Sequence, residues 1–178
     1  MPKTYNTFTN VATGDVYTAA SHNAILTNLA GYRVPPMALV RRASASNQSL
    51  TTSPTTLAWN NTTAAIDTDT MWSSGANTQL TIGTTGVYVV TAQVVVSFAG
   101  TMTRTGLRVA SSVNAYELML EHPFSNSYGY STMNLSGPIT LSAGATLSVA
   151  FEWAGGTSVS LLADQRTFLS AVWLGQVS

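Results

Sequence analysis

From residue 37 onward the chain reads as short apolar segments cut by turn residues, the pattern of an all-β sandwich or jelly roll. The predicted strands are MALVRRA (37–43), TTLAW (55–59), TQLTIG (78–83), GVYVVTAQVVVSF (86–98), TGLRVAS (105–111), AYELMLEH (115–122), YGYSTMNLSGPITL (128–141), ATLSVAFEW (145–153), SVSLL (158–162) and TFLSAVWLGQV (167–177). Asn60-Asn61, Ser73-Ser74-Gly75, Thr84-Thr85-Gly86, Ala143-Gly144 and Gly155-Gly156 mark the turns. Glycine and asparagine tolerate positive φ there, and small polar side chains satisfy the backbone. No helix and no fixed-period repeat is predicted in this part.

The first 36 residues have a different period. Thr18 is placed to cap a helix over AASHNAILTNLA (19–30), with Ala19, His22, Ile25, Leu26 and Leu29 near one stripe and Gly31 as its stop. A helix of about three turns is marginal unless one face packs on something. GYRVPP then reads as an extended linker through Pro35 and Pro36, so the boundaries are an anchoring segment, 1–36, and a head, 37–178.

Two strands have one apolar face too many. A half-buried strand alternates apolar and polar residues. In 86–98, however, Tyr88, Val90, Ala92, Val94, Val96 and Phe98 lie on one face, and Val87, Val89, Thr91, Gln93, Val95 and Ser97 on the other. The closing strand repeats this, with Phe168, Ser170, Val172 and Leu174 opposite Thr167, Leu169, Ala171 and Trp173. One sandwich core buries one face of each strand, and the helix is too small to cover the second face of both. A symmetric oligomer covers it with another copy. At roughly 25 cal/mol per Å² such an interface is worth several kcal/mol per subunit. The expected interface is Val87, Val89, Thr91, Gln93, Val95, Leu169, Ala171 and Trp173, with Thr91 and Gln93 hydrogen-bonding around the axis.

Composition narrows the partners. Charged residues are 8% of the chain, seven basic against seven acidic, far below the roughly 25% usual in soluble domains. Arg41-Arg42 is the single adjacent basic pair, too little for a phosphate backbone, so no nucleic-acid partner is expected. With no cysteine, stability must come from burial or assembly. No window approaches the roughly 20 apolar residues of a membrane helix, and MPKTYNTFTN lacks the layout of a secretory signal.

Asp67, Trp72, Leu80 and then Gly86-x-Tyr88-x-Val90-x-Ala92-x-Val94 resemble the pattern of the tumour necrosis factor and complement-head superfamily. One extra residue lies between Trp72 and Leu80. LSAGATLSVAFEWAGG (141–156) resembles the family's Leu-x-x-Gly-Asp-x-Val segment with Ala145 where Asp is usual, and TFLSAVWLG (167–175) is similar to its closing strand. The resemblance implies a ten-stranded TNF-like jelly roll forming a homotrimer. NVATGDVYTAASHNAILTNL in turn resembles the openings of small structural proteins of tailed bacteriophages, often minor tail proteins, through Gly14, Asp15, Thr18, Ala19 and Asn23. With Ile25, Leu26 and Leu29 these are the expected particle-anchoring residues.

Candidate chemistry is sparse. His22 lies near Asp15 and Ser21, but adjacent helix positions project about 100° apart, and no nucleophile elbow is present. His122 follows Glu121 at a strand end, where alternation separates the two side chains. Asp67 and Asp69 form a weak candidate pair for a hard cation, short of the six to eight oxygens calcium takes. Glu117 and Glu121, four apart in a strand, would stand about 13 Å apart at roughly 3.3 Å per residue, too far for a glycosidase pair. Phe124, Tyr128 and Tyr130, set among Ser, Asn and Gly, are candidates for surface recognition of host carbohydrate. Trp59, Trp72, Trp153 and Trp173 suit core or interface better than a ligand platform. The expectation is a non-enzymatic protein without cofactor, exposed on the outside of a virion. It would be tail-associated, with a capsid decoration trimer and a glycan-binding module as alternatives.

Overall fold

The computed structural model describes residues 18–42, 46–59 and 63–176. Helix α1 (Ala19–Arg33) precedes ten strands: β1 (Met37–Arg41), β2 (Gln48–Leu50), β3 (Thr55–Thr56), β4 (Ile66–Asp67), β5 (Gln79–Thr81), β6 (Gly86–Ser111), β7 (Leu118–Leu141), β8 (Thr146–Gly155), β9 (Ser158–Leu161) and β10 (Phe168–Gly175).

The organising element is one long hairpin. β6 and β7 pair antiparallel from Gly86 opposite Leu141 to Val109 opposite Leu118. Along the other edge of β6 lie β10 at residues 87–93, β9 at 96–99 and β8 at 102–111. Midway, the register slips around Met102, and Gly100 takes φ +77°. A side chain at Gly100 would press on the Thr157 amide, 2.8 Å away, so glycine permits both the conformation and the close approach. The slip lets the sheet curl, and each half of the hairpin joins a different layer. The front layer runs β7–β6–β10–β1–β4, and the rear layer adds β8 to the hairpin, with β3 and β5 on the far edge of β8.

The core lies between the layers. Tyr88, Val90, Ala92 and Val94 from the front of β6 meet Leu107 and Val109 from its rear, with Leu147, Val149 and Phe151 of β8, all buried in one cluster. Leu57, Trp59 and Ile82 close it from the loops.

Several sequence expectations change at this level. The breaks predicted at 99–104 and 123–127 are continuous strand, because a bulged ribbon tolerates polar residues and even Pro123. β7 pairs with β6 alone, so the missing amide of Pro123 faces an open edge. β2 and β4 were not predicted, being only three and two residues long. Thr18 caps α1 as expected, its Oγ1 accepting from the Ser21 amide at 3.2 Å. Gly31 does not stop the helix, which continues to Arg33 and ends where Pro35 disfavours helical geometry at Val34. Nor is Pro-Pro a free spacer. The Pro35 carbonyl accepts from Thr68 Oγ1 at 2.7 Å, and the Pro36 carbonyl from the Trp173 amide at 2.9 Å. Both prolines are thereby tied to the head.

Candidate functional site

The Gly-x-Tyr pattern has a local cause. Gly86 opens β6 where the Trp173 indole crosses it, and a Cβ there would lie 2.7 Å from indole Cδ1. Tyr88 is fully buried, and its hydroxyl donates to the Thr84 carbonyl at 2.5 Å. Trp173 Nε1 donates to the Thr85 carbonyl at 3.3 Å. Glycine, tyrosine and tryptophan together therefore lock the turn before β6 to the closing strand.

The IDTDT segment is built the same way. The Asp67 carboxylate accepts from the Met71 amide at 2.9 Å through Oδ1 and from the Trp72 amide at 3.0 Å through Oδ2. These bonds hold a turn in which Thr70 adopts φ +57°, a strained value for a β-branched residue. Asp69 is buried, and its Oδ2 accepts from Thr84 Oγ1 at 2.9 Å. Both carboxylates thus organise the loop, and no group of three or more His, Asp or Glu residues suited to a metal occurs among the described residues. Asp67→Ala is expected to cost about 1–3 kcal/mol, because backbone amides lose their acceptor. Urea unfolding measures it, and an unchanged midpoint would show that the turn holds without the carboxylate.

The remaining acid and base candidates do not converge. Glu117 precedes β7 and accepts from Ser111 Oγ at 2.5 Å, while Glu121 pairs with Arg104 at 3.0 Å. Arg104 also reaches Glu152 at 3.4 Å. His22 and His122 are exposed on separate elements. The four tryptophans are all buried. Asp164 and Arg166 form an exposed fork at 2.6 Å, and its hydrogen bonds hold the Asp164 carboxyl below the usual carboxylate range.

What the fold does assemble is the outward face of the front layer. On β6 it carries Val87, Val89, Thr91 and Gln93, all part-buried. On β10 it carries Phe168, Ser170, Val172 and the exposed Leu174, and on β1 it carries Met37, Leu39 and Arg41. The flanking β7 positions Thr132, Asn134, Ser136, Pro138 and Thr140 are exposed, so an apolar stripe is bordered by a largely polar one.

The register corrects half of the expected interface. Leu169, Ala171 and Trp173 pair with Ala92, Val90 and Tyr88 and share their inward face, at 0%, 0% and 3% exposure. They belong to the core, and the outward residues of β10 are their neighbours Phe168, Ser170, Val172 and Leu174. The pattern alone gave two apolar faces with no means to orient them; pairing with β6 does so. Val95 is also buried, at 2%. There the β9–β10 loop crosses the strand, with the Leu162 amide donating to the Val95 carbonyl and the Val95 amide to Thr167 Oγ1. Thr91 and Gln93 do face outward, but each bonds within the chain. Thr91 Oγ1 lies 2.8 Å from Ser136 Oγ, and Gln93 Nε2 donates to the Arg166 carbonyl at 2.8 Å.

Of the anchoring candidates, Gly14 and Asp15 lie outside the described residues. Thr18 and Ala19 form the start of α1, Asn23 and Ile25 lie within it, and Leu26 and Leu29 are about half exposed. Of the recognition candidates, Tyr130 is 76% exposed, while the side chains of Phe124 and Tyr128 lie outside the described set.

No family model matches the chain, and no curated protein matches it. Among solved structures it is similar to the crystal structure of murine APRIL at pH 5.0. The TM-score is 0.58 at 16% identity, covering 78% of this chain and 98% of that one. At this identity the likeness concerns the fold alone, and the fold of this chain is a TNF-like jelly roll.

Proposed function

We propose that the chain is a non-enzymatic structural protein of a tailed-phage virion, attached through its N-terminal segment and displaying a trimeric β head. The observation that carries the assembly is the outward apolar stripe of Val87, Val89, Val172 and Leu174 on a chain with few charges. The likeness to a TNF-type jelly roll suits a trimer, and the non-enzymatic reading rests on acid and base candidates that do not converge. The phage reading rests on Gly14, Asp15, Thr18, Ala19 and Asn23. The half-exposed Leu26 and Leu29 of α1 add apolar surface for a particle partner.

Tail association follows from the kind of proteins those five residues resemble. Labelled antibody on intact particles tests it: label at the tail is expected, and label over the head would replace it with capsid decoration. The solution mass of the full chain tests the trimer, and a stable monomer would remove it. Host-glycan recognition is a second reading, favoured by Tyr130 standing exposed on β7. Tyr130→Ala should then abolish retention on host cells without changing the mass, and retention of the variant would end that reading.

A further inference from the structure

The outward face holds a groove of about 270 Å³ between β4, β1 and β10, on the β1 side of the apolar stripe, with Val172 in its wall pairing with Val89 of β6. Its walls are apolar, made by Met37, Leu39, Ile66, Phe168 and Val172, and two polar groups enter it, the Ser170 hydroxyl and the Arg41 side chain. Its volume is near the lower end for small-molecule sites, about 300–1,000 Å³, and a mostly apolar lining with few polar groups is their usual composition.

Arg41 is what gives the groove a chemistry. Its Nε is buried and has no hydrogen-bond partner, and no carboxylate pairs with it among the described residues. Nor is a carboxylate to spare. Asp67 and Asp69 hold their loop, Glu117 bonds Ser111, Glu121 and Glu152 share Arg104, and Asp164 pairs with Arg166. The seventh acid, Asp15, lies outside the described residues. A desolvated guanidinium donor without a partner is costly, and a planar fork of donors matches a carboxylate. Arg42 next door differs in its Nη1 and Nη2, which donate to the carbonyls of Ala58 and Ser46.

We propose that this groove binds a small amphiphilic carboxylate. The acyl chain would lie along Leu39, Ile66 and Val172, and the headgroup would meet Arg41 and the Ser170 hydroxyl. The proposal does not draw on the N-terminal resemblance, but its groove shares Val172 with the assembly stripe, so the mass of each variant is measured with its binding.

Calorimetric titration of the purified full chain with decanoate and with decanol, beside a measurement of its mass, tests it. Decanoate is expected to bind at least about tenfold more tightly than decanol, the worth of one hydrogen bond to a charged group. Arg41→Gln should erase that preference, and Val172→Phe should weaken both probes by filling the groove. Absence of decanoate binding, equal affinity for decanol, or an unchanged preference in Arg41→Gln would each overturn the proposal. A monomer that binds decanoate keeps this site and loses the trimer. A trimer that does not bind loses the site alone.

Discussion

Gly86→Ala is expected to lower the stability of the fold by about 4 kcal/mol, enough to leave it marginal. The added methyl would fall within the edge of the Trp173 indole and against the Gly175 carbonyl. Neither neighbour has room to yield. Trp173 is 3% exposed with its Nε1 bonded to the Thr85 carbonyl, and Gly175 pairs with Val87 in the ladder. Overpacking a filled site costs about 1–3 kcal/mol and sometimes more, and displacing the indole adds the lost hydrogen bond of about 1 kcal/mol. Here backbone and a buried aromatic are both in the way, so the upper end applies. That is a large part of the total of about 5–15 kcal/mol available to a domain. Loss of soluble protein, or a collapse of the urea midpoint, is the readout; a midpoint equal to the parent's would show that the indole has another place to go. Tyr88→Phe keeps the ring and removes the bond to the Thr84 carbonyl, so it should cost only about 1 kcal/mol.

Gly86 and Tyr88 also show why part of this fold was legible in the sequence. A glycine fixed by a crossing indole, and a tyrosine fixed by a buried acceptor, leave a recognisable spacing because each permits one residue type. The alternation in 145–153 was legible for a similar reason, since that run stays in one layer long enough to repeat. The joints were not. Where β6 and β7 pass between layers, the ribbon bulges and its alternation lapses at 99–104 and 123–127, so one strand reads as two. The facing of the closing strand was illegible in another way. Val172 and Leu174 are as apolar as Leu169 and Trp173, and only the pairing of Trp173 with Tyr88 shows which set is inside. The groove leaves no mark in the sequence because Met37, Ile66 and Val172 come from three separated strands, and Arg41 stands there only as half of a basic pair. Asp67 and Asp69 looked like a cation pair because the pattern cannot show that backbone amides and a threonine hydroxyl already occupy their oxygens.

Val89→Asp and Val95→Asp are expected to fail in different ways, and the difference separates assembly from folding. Both positions lie on the same strand face by alternation. Val89 is part-buried on the open outward stripe, opposite Pro138 and Val172. A carboxylate there stays hydrated in the isolated subunit and costs the monomer little. In an assembly that covers the stripe it becomes a buried charge without a partner in each copy, a penalty of several kcal/mol per site. The expected result is a folded monomer, with native circular dichroism and a mass one third of the parent's. Val95, at 2% exposure beneath the β9–β10 loop, has no hydrated state to retreat to within the fold. The same penalty therefore falls on the subunit, and Val95→Asp should unfold rather than dissociate. A folded and trimeric Val89→Asp would mean that the stripe is not the assembly face. A folded Val95→Asp would mean that the loop over it opens at little cost.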